Sequence, residues 1–234
     1  MIELKSLTRA ILEDLRMQII TCELKGGQKL NENQFSSQLN VSRPPLREAF
    51  QILEQENFIV SIPRKGRHVA EISESNYEKI HEVRKMIECH VVDLLKAKNV
   101  RSLPTVDLAL REVLKKPVPR DDLEKWHLLQ AADEFHVRLV DSVGNEVLSR
   151  FYGIIKFNVA RYQYWLRVLC VPDLFRPDVA KSLIQEHCRI FSLIERGEYD
   201  EARECLRSHM DETWRLMKEN FSKEVGQKFA ASTH

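Results

Sequence analysis

Residues 30–70 read LNENQFSSQLNVSRPPLREAFQILEQENFIVSIPRKGRHVA. This stretch predicts a short helix that begins after Asn31, a good N-cap, and ends near Asn40, a residue type that tolerates the left-handed conformation. Ser42 is then expected to cap a second helix that has two prolines in its first turn, where an N–H group is not needed. The sequence therefore predicts two helices separated by a tight turn.

The second of these helices has an apolar face and a polar face. Apolar residues recur at the spacing of one helical face: Leu46, Ala49, Phe50 and Leu53. The opposite face carries Arg43, Arg47 and Gln51. Arginine binds the O6 and N7 atoms of guanine, and helix-turn-helix proteins place the start of their second helix against base edges. We therefore expect the polar face to contact DNA.

Two short strands are predicted after the second helix. FIVSI and RHVAE flank the basic turn Pro63-Arg64-Lys65-Gly66, which is typical of a wing beside a recognition helix. An earlier helix is predicted over residues 6–23, before Gly26 and Gly27. Residues 1–71 are thus predicted to form a winged helix-turn-helix of three helices and a two-stranded wing.

VSRPPLREAF and PRKGRHVA resemble the winged-helix domain of the GntR family of bacterial transcription regulators, whose pattern is close to VSRxPVREAL and PRRGxxV. The chain departs at Asn40, where Gly is usual, at Pro44, where Thr is common, and at Phe35-Ser36, which replace Leu-Ala. The resemblance implies binding to a double-stranded DNA operator. The expected DNA-contact residues are Ser42, Arg43, Pro45, Arg47, Gln51, Arg64, Lys65, Gly66 and Arg67.

The composition is that of an ordinary water-soluble protein. The chain has 234 residues, of which 43% are hydrophobic and 30% charged, and its net charge is +1. No apolar run approaches 18 residues and the start does not resemble a signal peptide, so we expect a cytoplasmic protein without a membrane span. The low net charge does not argue against DNA binding, because local charge governs attraction to phosphate within a Debye length of about 8 Å.

The remaining chain shows helical periodicity without strand signatures. Residues 76–222 are predicted to form an antiparallel all-α bundle of about six helices, after a short linker over 72–75. Pro172 and Pro177 are expected to interrupt the bundle helices. Residues 223–234 are expected to form a flexible tail. The fold class is therefore mainly α.

His136, His187 and His209 occupy interior-looking positions on three separate predicted helices. A single buried histidine is usually a core residue with its own polar partner. Three on converging helices are more simply satisfied by one shared divalent metal. Imidazole ligands suit Zn, with Ni, Co or Fe as alternatives.

The histidine contexts extend the resemblance to the FadR-type branch of the GntR family, whose C-terminal FCD domain often holds a metal through an Asp, a His four residues later and two further His. Residues 186–190 and 202–209 resemble the last two contexts. One departure concerns the acid, because Ala132 stands four residues before His136 and Asp133 stands three before it. Asp133 is expected either to bind the metal with shifted geometry or to face solvent.

A ligand site is predicted beside the metal. Arg84 stands where the FCD family has an Arg followed by Glu, here Glu88, and could hold a small carboxylate or hydroxy-acid effector. The alternative is an ordinary i, i+4 pair between Arg84 and Glu88. Asn158 and Arg161 are further candidates for lining an effector site.

These features predict a ligand-responsive transcription regulator, expected to be a repressor, that binds a palindromic operator as a homodimer. One alternative is a metal-free regulator of the acyl-thioester type. Another is a metal-dependent enzyme, since three histidines can also hold a metal with a nucleophilic water. The sequence has no H-E-x-x-H motif, nucleophile elbow or Gly-rich phosphate loop, and an enzyme would leave the DNA-binding pattern unexplained.

Overall fold

The computed structural model describes residues 2–117, 119–171 and 177–231. The chain divides into two compact units between Ile72 and Ser73, a position inside the predicted linker. Helices dominate both units, in agreement with the predicted fold class. In the described ranges, no helix is both long enough and apolar enough to cross a membrane.

The first unit contains three helices and a small sheet. Its elements are α1 (Ile2–Ile20), β1 (Lys29–Leu30), α2 (Glu32–Gln38), α3 (Arg43–Gln55), β2 (Ile59–Ile62) and β3 (Gly66–Val69). The sheet has three antiparallel strands in the order β1-β3-β2 rather than the predicted two. Strand β1 was missed because two residues are too short to show an alternating pattern.

The caps of α2 and α3 follow the prediction in part. The side chain of Asn31 accepts hydrogen bonds from the backbone N–H groups of Asn33 at 2.9 Å and Gln34 at 3.4 Å, as an N-cap does. Asn40 has a φ of 51°, the predicted left-handed conformation. Ser42 stands at the N-cap position of α3, but its side chain makes no capping hydrogen bond, so that detail of the prediction is wrong.

The inner face of α3 is the centre of the first core. Leu46, Ala49, Phe50 and Leu53 are completely buried, as their spacing predicts. The ring of Phe50 meets Phe35 of α2 edge-on, with 6.0 Å between ring centroids. Burial of each leucine and phenylalanine in this set contributes roughly 1.5–3 kcal/mol, so the core fixes which face of α3 points to solvent.

The second unit contains six α-helices within the described ranges. They are α4 (Glu74–Ala97), α5 (Pro104–Leu114), α6 (Asp122–Asp141), α7 (Glu146–Tyr164), α8 (Pro177–Arg196) and α9 (Tyr199–Ala231). A π-helical segment, Trp165–Cys170, continues α7 directly. The sequence pattern did not predict this segment, and π-helical turns are frequent at functional sites.

The end of the chain differs from the prediction. Helix α9 continues to Ala231, whereas a flexible tail was expected from residue 223. The segment after residue 222 contains no proline, and its single glycine does not end the helix. Pro177 begins α8, while Pro172 and residues 232–234 lie outside the described ranges.

The core of the second unit lies between α4, α6, α8 and α9. Completely buried residues from these helices pack together: Val91, Val92, Leu95, Leu139, Val140, Ile194, Ala202 and Leu206. His136 stands beside buried Phe135, one turn before Leu139. The apolar face of α6 therefore turns His136 towards the interior.

Candidate functional site

The expected DNA-contact residues are mostly exposed on the first unit. The exposed residues on and before α3 are Ser42, Arg43, Arg47 and Gln51, and those at the turn between β2 and β3 are Arg64, Lys65 and Gly66. Arg67 is half-buried. The prediction for Pro45 is corrected, because this residue is buried together with the inner face of α3.

The turn of the wing depends on its backbone conformation. Arg64 has a φ of 65° and Gly66 a φ of 90°. A φ near 90° strongly favours glycine, since a Cβ atom strains that conformation. Gly66 therefore shapes the turn that carries Arg64 and Lys65.

Glu32 joins the recognition helix to the wing. Its Oε2 accepts hydrogen bonds from Nη2 of Arg47 at 2.9 Å and from Nε at 3.2 Å, while Oε1 accepts from Nη1 of Arg67 at 2.5 Å. The hydrogen bond from Arg47 and the two arginine charges lower the pKa of Glu32 against the opposing effect of burial. These pairs could not be predicted from the sequence, because they join residues 15 and 35 positions apart.

Three histidines converge in the second unit. His136 on α6, His187 on α8 and His209 on α9 each offer a ligand atom, and these atoms all lie within 4.8 Å of one another. The Nε2 atoms of His187 and His209 are 3.1 Å apart. The structure thus brings together the three residues that the sequence singled out.

Carboxylates hold two of the three rings from outside. His136 Nδ1 lies 2.6 Å from Oε2 of Glu88, and His209 Nδ1 lies 2.7 Å from Oε2 of Glu186. Histidine ligands of metals commonly donate their second N–H group in this way, which fixes the tautomer and the ring orientation. The two contacts leave both Nε2 atoms available on the inner side.

The ring of His187 is held by packing. It stacks on Phe135, with centroids 4.5 Å apart and planes 10° apart. Its Nδ1 is buried without a hydrogen-bond partner among the described residues. Burial, reinforced by the neighbouring histidines, lowers the pKa of His187 well below its usual value, so this ring is neutral at pH 7.

Glu88 is the hub of a buried polar network. It accepts hydrogen bonds from Arg84 Nε at 2.7 Å, from the Tyr152 hydroxyl at 2.6 Å and from His136. Burial alone would raise the pKa of Glu88, but these three partners lower it below its usual range. Burial also lowers the pKa of His136 to about 4, so a neutral His136 donates Nδ1–H to a charged carboxylate.

Asp133 does not join the three histidines whose ligand atoms converge. Each residue advances an α-helix by about 100°, so an acid three residues before His136 points away from the position that the family's acid would take. Burial raises the pKa of Asp133, whereas Arg84 and Arg167 act in the opposite direction. The structure therefore gives no support to Asp133 as a fourth ligand.

Arg84 forms the ion pair that was one of its two predicted roles, and its role in effector binding stays a prediction. It is buried and forms the i, i+4 pair with Glu88, so its Nε is committed inside the protein. Asn158 is also buried, and its amide donates to the carbonyl of Ile154 at 3.1 Å. Arg161 is only 2% exposed.

Arg167 is an interior cation that the sequence reasoning missed. It lies in the π-helical segment, is 4% exposed, and donates from Nε to the neutral side chain of Gln163 at 2.7 Å. Burial lowers the pKa of Arg167, and Asp133 is the strongest of the groups that oppose this effect. A signal was present in the sequence, since Arg167 interrupts an otherwise apolar stretch, WLRVLC.

The three histidines fit a metal ion by their chemistry. Two nitrogen ligands bonded to one Zn²⁺ at about 2.0–2.1 Å in tetrahedral geometry stand roughly 3.3 Å apart. The 3.1 Å separation of the Nε2 atoms of His187 and His209 is close to this distance. His136, His187 and His209 could therefore hold a metal ion.

Two family descriptions match separate ranges of the chain. "FCD domain" matches residues 79–212, and "Bacterial regulatory proteins, gntR family" matches residues 7–69. The chain belongs to the gntR family. As a GntR-family member it is a DNA-binding transcription regulator and not an enzyme, so the predicted alternative of a metal-dependent enzyme is wrong.

Relatives of this GntR regulator include named repressors. The gluconate operon transcriptional repressor of Bacillus licheniformis is 29% identical over 143 residues, which cover 61% of this chain and 58% of the repressor, less than two thirds of its length. The HTH-type transcriptional repressor RspR of Escherichia coli K12 is 26% identical over 201 residues, covering 85% of this chain and 83% of RspR.

Solved structures share the fold of this GntR regulator. A transcriptional regulator GntR from Rhodococcus sp. RHA1 superposes with a TM-score of 0.72 at 20% identity, covering 92% of this chain and 98% of that one. McbR/YncC of E. coli gives a TM-score of 0.67 at 18% identity, with the same coverage. These likenesses support the winged helix-turn-helix followed by a helical unit.

Proposed function

We propose that this GntR-family regulator is a repressor that binds a palindromic operator as a homodimer in the bacterial cytoplasm and responds to a small carboxylate or hydroxy acid. The convergence of His136, His187 and His209 inside the second unit carries the sensing part of the proposal. Repressor function is supported by the names of relatives. Dimer formation is supported by the limited surface of one winged helix, which reads too few bases to select a site alone.

We further propose that the three histidines bind one divalent transition metal, with Zn expected and Ni, Co or Fe as alternatives. Glu88 and Glu186 hold His136 and His209 in the tautomer with a free Nε2, which supports this proposal. When bound, the metal supplies a Lewis-acidic centre that accepts an anionic oxygen ligand. The stacking of His187 on Phe135 keeps the third ring in place.

The charges of the interior favour an anionic effector. Arg84 is paired with Glu88, whereas Arg167 donates to neutral Gln163, and the charge of Asp133 only partly offsets the burial that lowers the pKa of Arg167. A carboxylate beside Arg167 would balance this charge. Arg84, Asn158 and Arg161 remain proposed lining residues of the same site, and Arg84 also holds Glu88 in place.

The experiment is a metal and ligand assay on protein purified without an affinity tag. Elemental analysis is expected to find one transition metal per chain, and a thermal-shift screen of small carboxylates is expected to raise the melting temperature only when metal is present. A ligand at 100 times its Kd stabilises the native state by about 2.7 kcal/mol, which such a screen detects. The matched control is His127→Ala, an exposed histidine on the same helix as His136.

The outcomes of this screen separate the alternatives. Stabilisation by an acyl thioester in metal-free protein would favour the metal-free type of regulator instead. Absence of stoichiometric metal in the untagged protein, together with a normal response to a carboxylate, would contradict the metal site. Light scattering that shows a monomer at micromolar concentration, with and without operator DNA, would contradict the homodimer.

A further inference from the structure

We propose that Glu32 determines the DNA specificity of this regulator. Its single carboxylate holds the recognition-helix residue Arg47 and the wing residue Arg67 together, and it limits the attraction of both to DNA phosphates. Glu32 itself was not among the residues that the sequence pattern assigned to DNA binding. The proposal rests on contacts within the first unit alone.

The geometry places Glu32 between two DNA-reading elements. Glu32 begins α2, Arg47 lies in the first half of α3, and Arg67 lies on β3 next to the turn of the wing. Oε2 of Glu32 lies 2.9 Å from Nη2 of Arg47 and Oε1 lies 2.5 Å from Nη1 of Arg67, while Nε of Arg47 is within hydrogen-bonding distance of both oxygens. Asn31 caps α2 through two backbone N–H groups and so fixes the point from which Glu32 extends.

The contacts leave part of each guanidinium available. Glu32 accepts from Nε and Nη2 of Arg47, so the Nη1 side remains for a base edge. Arg67 uses Nη1 towards Glu32 and places Nε 3.6 Å from Glu54. A guanidinium carries five donors in a rigid plane, so fixing one edge also fixes the direction of the rest. Glu32 thereby orients Arg47 before DNA arrives.

The charge of Glu32 acts against non-specific binding. The carboxylate of Glu32 lowers the local charge around Arg47 and Arg67, to which Glu54 also contributes, by one unit, and a carboxylate next to the DNA surface repels phosphate. Phosphate attraction supplies nearly all non-specific affinity, whereas contacts with base edges supply the sequence information. Glu32 therefore lowers affinity for random DNA more than affinity for the operator.

A purely structural ion pair would behave differently. Its loss would destabilise the first unit and weaken binding to every duplex by the same factor, without a change in base preference. Glu32 and Arg47 are partly exposed, with 25% and 56% of their side chains accessible, so the pair contributes little to folding stability. The two roles can therefore be separated by the ratio of two affinities.

The test compares Glu32→Gln with the wild type on two DNA probes. The first probe is the duplex that wild-type protein selects from a randomised pool, and the second is a random-sequence duplex of the same length. Glu13→Gln is the matched control, since it removes the same charge from an exposed pair with Arg9 on α1. Glu32→Asp keeps the charge but shortens the reach, and it tests whether geometry matters beyond charge.

We expect Glu32→Gln to bind the random duplex roughly tenfold more tightly at 0.1 M salt, as one added phosphate contact predicts, with a steeper salt dependence by about 0.9 in log–log slope. The selected-to-random affinity ratio is expected to fall, and repeated selection is expected to show weaker base preference at the position read by Arg47. Glu13→Gln is expected to leave the ratio unchanged.

Glu32→Asp is expected to lose part of the base preference while it keeps the wild-type salt slope. An unchanged selected-to-random ratio in Glu32→Gln, at a melting temperature equal to the wild type, would overturn the proposal. An equal fall in affinity for both duplexes would also overturn it, because that pattern indicates a structural ion pair.

Discussion

The Nε2 atoms of His187 and His209 face each other across 3.1 Å in the interior of the second unit. His209 donates its other N–H group to Glu186, and His187 is held against Phe135. Two imidazole nitrogens at this distance share either one proton or one metal ion. The expected behaviour of a His187 variant follows from this choice.

His187→Ala is expected to lose the metal and the effector response together. The change removes one of the three ligand atoms that converge among the described residues, and two imidazoles hold a metal ion more weakly than three. Operator binding without effector is expected to persist, because the first unit has its own buried core around α3. Elemental analysis and DNA titration measure the two effects, and His127→Ala should match the wild type in both. Wild-type metal content in His187→Ala would contradict the proposed ligand set.

Glu88→Gln is expected to destabilise the second unit by about 3–5 kcal/mol, the usual effect of removing one partner of a buried ion pair. Arg84 would remain buried without its counter-charge, and His136 would lose a charged acceptor. Urea denaturation measures the loss. Glu82→Gln, an exposed position on the same helix, should change stability by less than about 0.5 kcal/mol. A stability loss as small as that of the control would show that Glu88 is not the hub described here.

Arg47→Ala and Lys65→Ala are expected to weaken DNA binding in different ways. Arg47 lies on the exposed face of α3, so its loss should cost about 1–3 kcal/mol on the selected duplex and relax base preference. Lys65 lies at the exposed turn of the wing, so its loss should weaken all duplexes alike and reduce the salt slope by about 1. Fluorescence anisotropy titrations at several salt concentrations distinguish the two patterns. The same loss on selected and random DNA for both variants would refute this division.

Stability is expected to fall as the pH drops below the usual pKa of histidine, in part because of His81. Burial lowers the pKa of His81, against a hydrogen bond that its Nε2 donates to Asp211 and that raises it, while Lys85 donates to the same carboxylate. A histidine whose pKa is lowered in the folded protein binds more protons in the unfolded chain. Its contribution to the free energy of unfolding is therefore present above about pH 6.5 and is lost as the pH falls below that value.

The measurement is urea denaturation between pH 7.5 and 5.5 with a chelator present. His136 and His187 act in the same direction, so the contribution of His81 is the difference between the wild type and His81→Gln. We expect the variant to show a shallower dependence on pH. His90→Gln, which changes an exposed histidine on α4, should keep the wild-type slope. Parallel curves for the wild type and His81→Gln would contradict the assignment.

The sequence predicted the elements whose signals are local. The apolar stripe of α3, the left-handed Asn40 and the inward-facing position of each of the three histidines follow from helical spacing and turn chemistry, whereas their convergence at one point was expected with the help of the resemblance to the FCD domain. The contacts of Glu32 and Glu88 could not be predicted, because they join residues that are distant in sequence and depend on how the helices pack. The π-helical segment was missed for a related reason, since tertiary packing widens a turn whose residue pattern still fits an α-helix.

The side chain of Glu88 gathers donors from three helices: Arg84 from α4, His136 from α6 and Tyr152 from α7. A charged carboxylate is stable in the interior only with its hydrogen-bond partners. If one of these helices unfolded alone, Glu88 would lose a partner and remain as a buried, incompletely hydrogen-bonded charge. Local opening of this part of the bundle is therefore a single event. In amide hydrogen exchange, the central residues of α4, α6 and α7 should open at one common free energy and exchange as one cooperative unit.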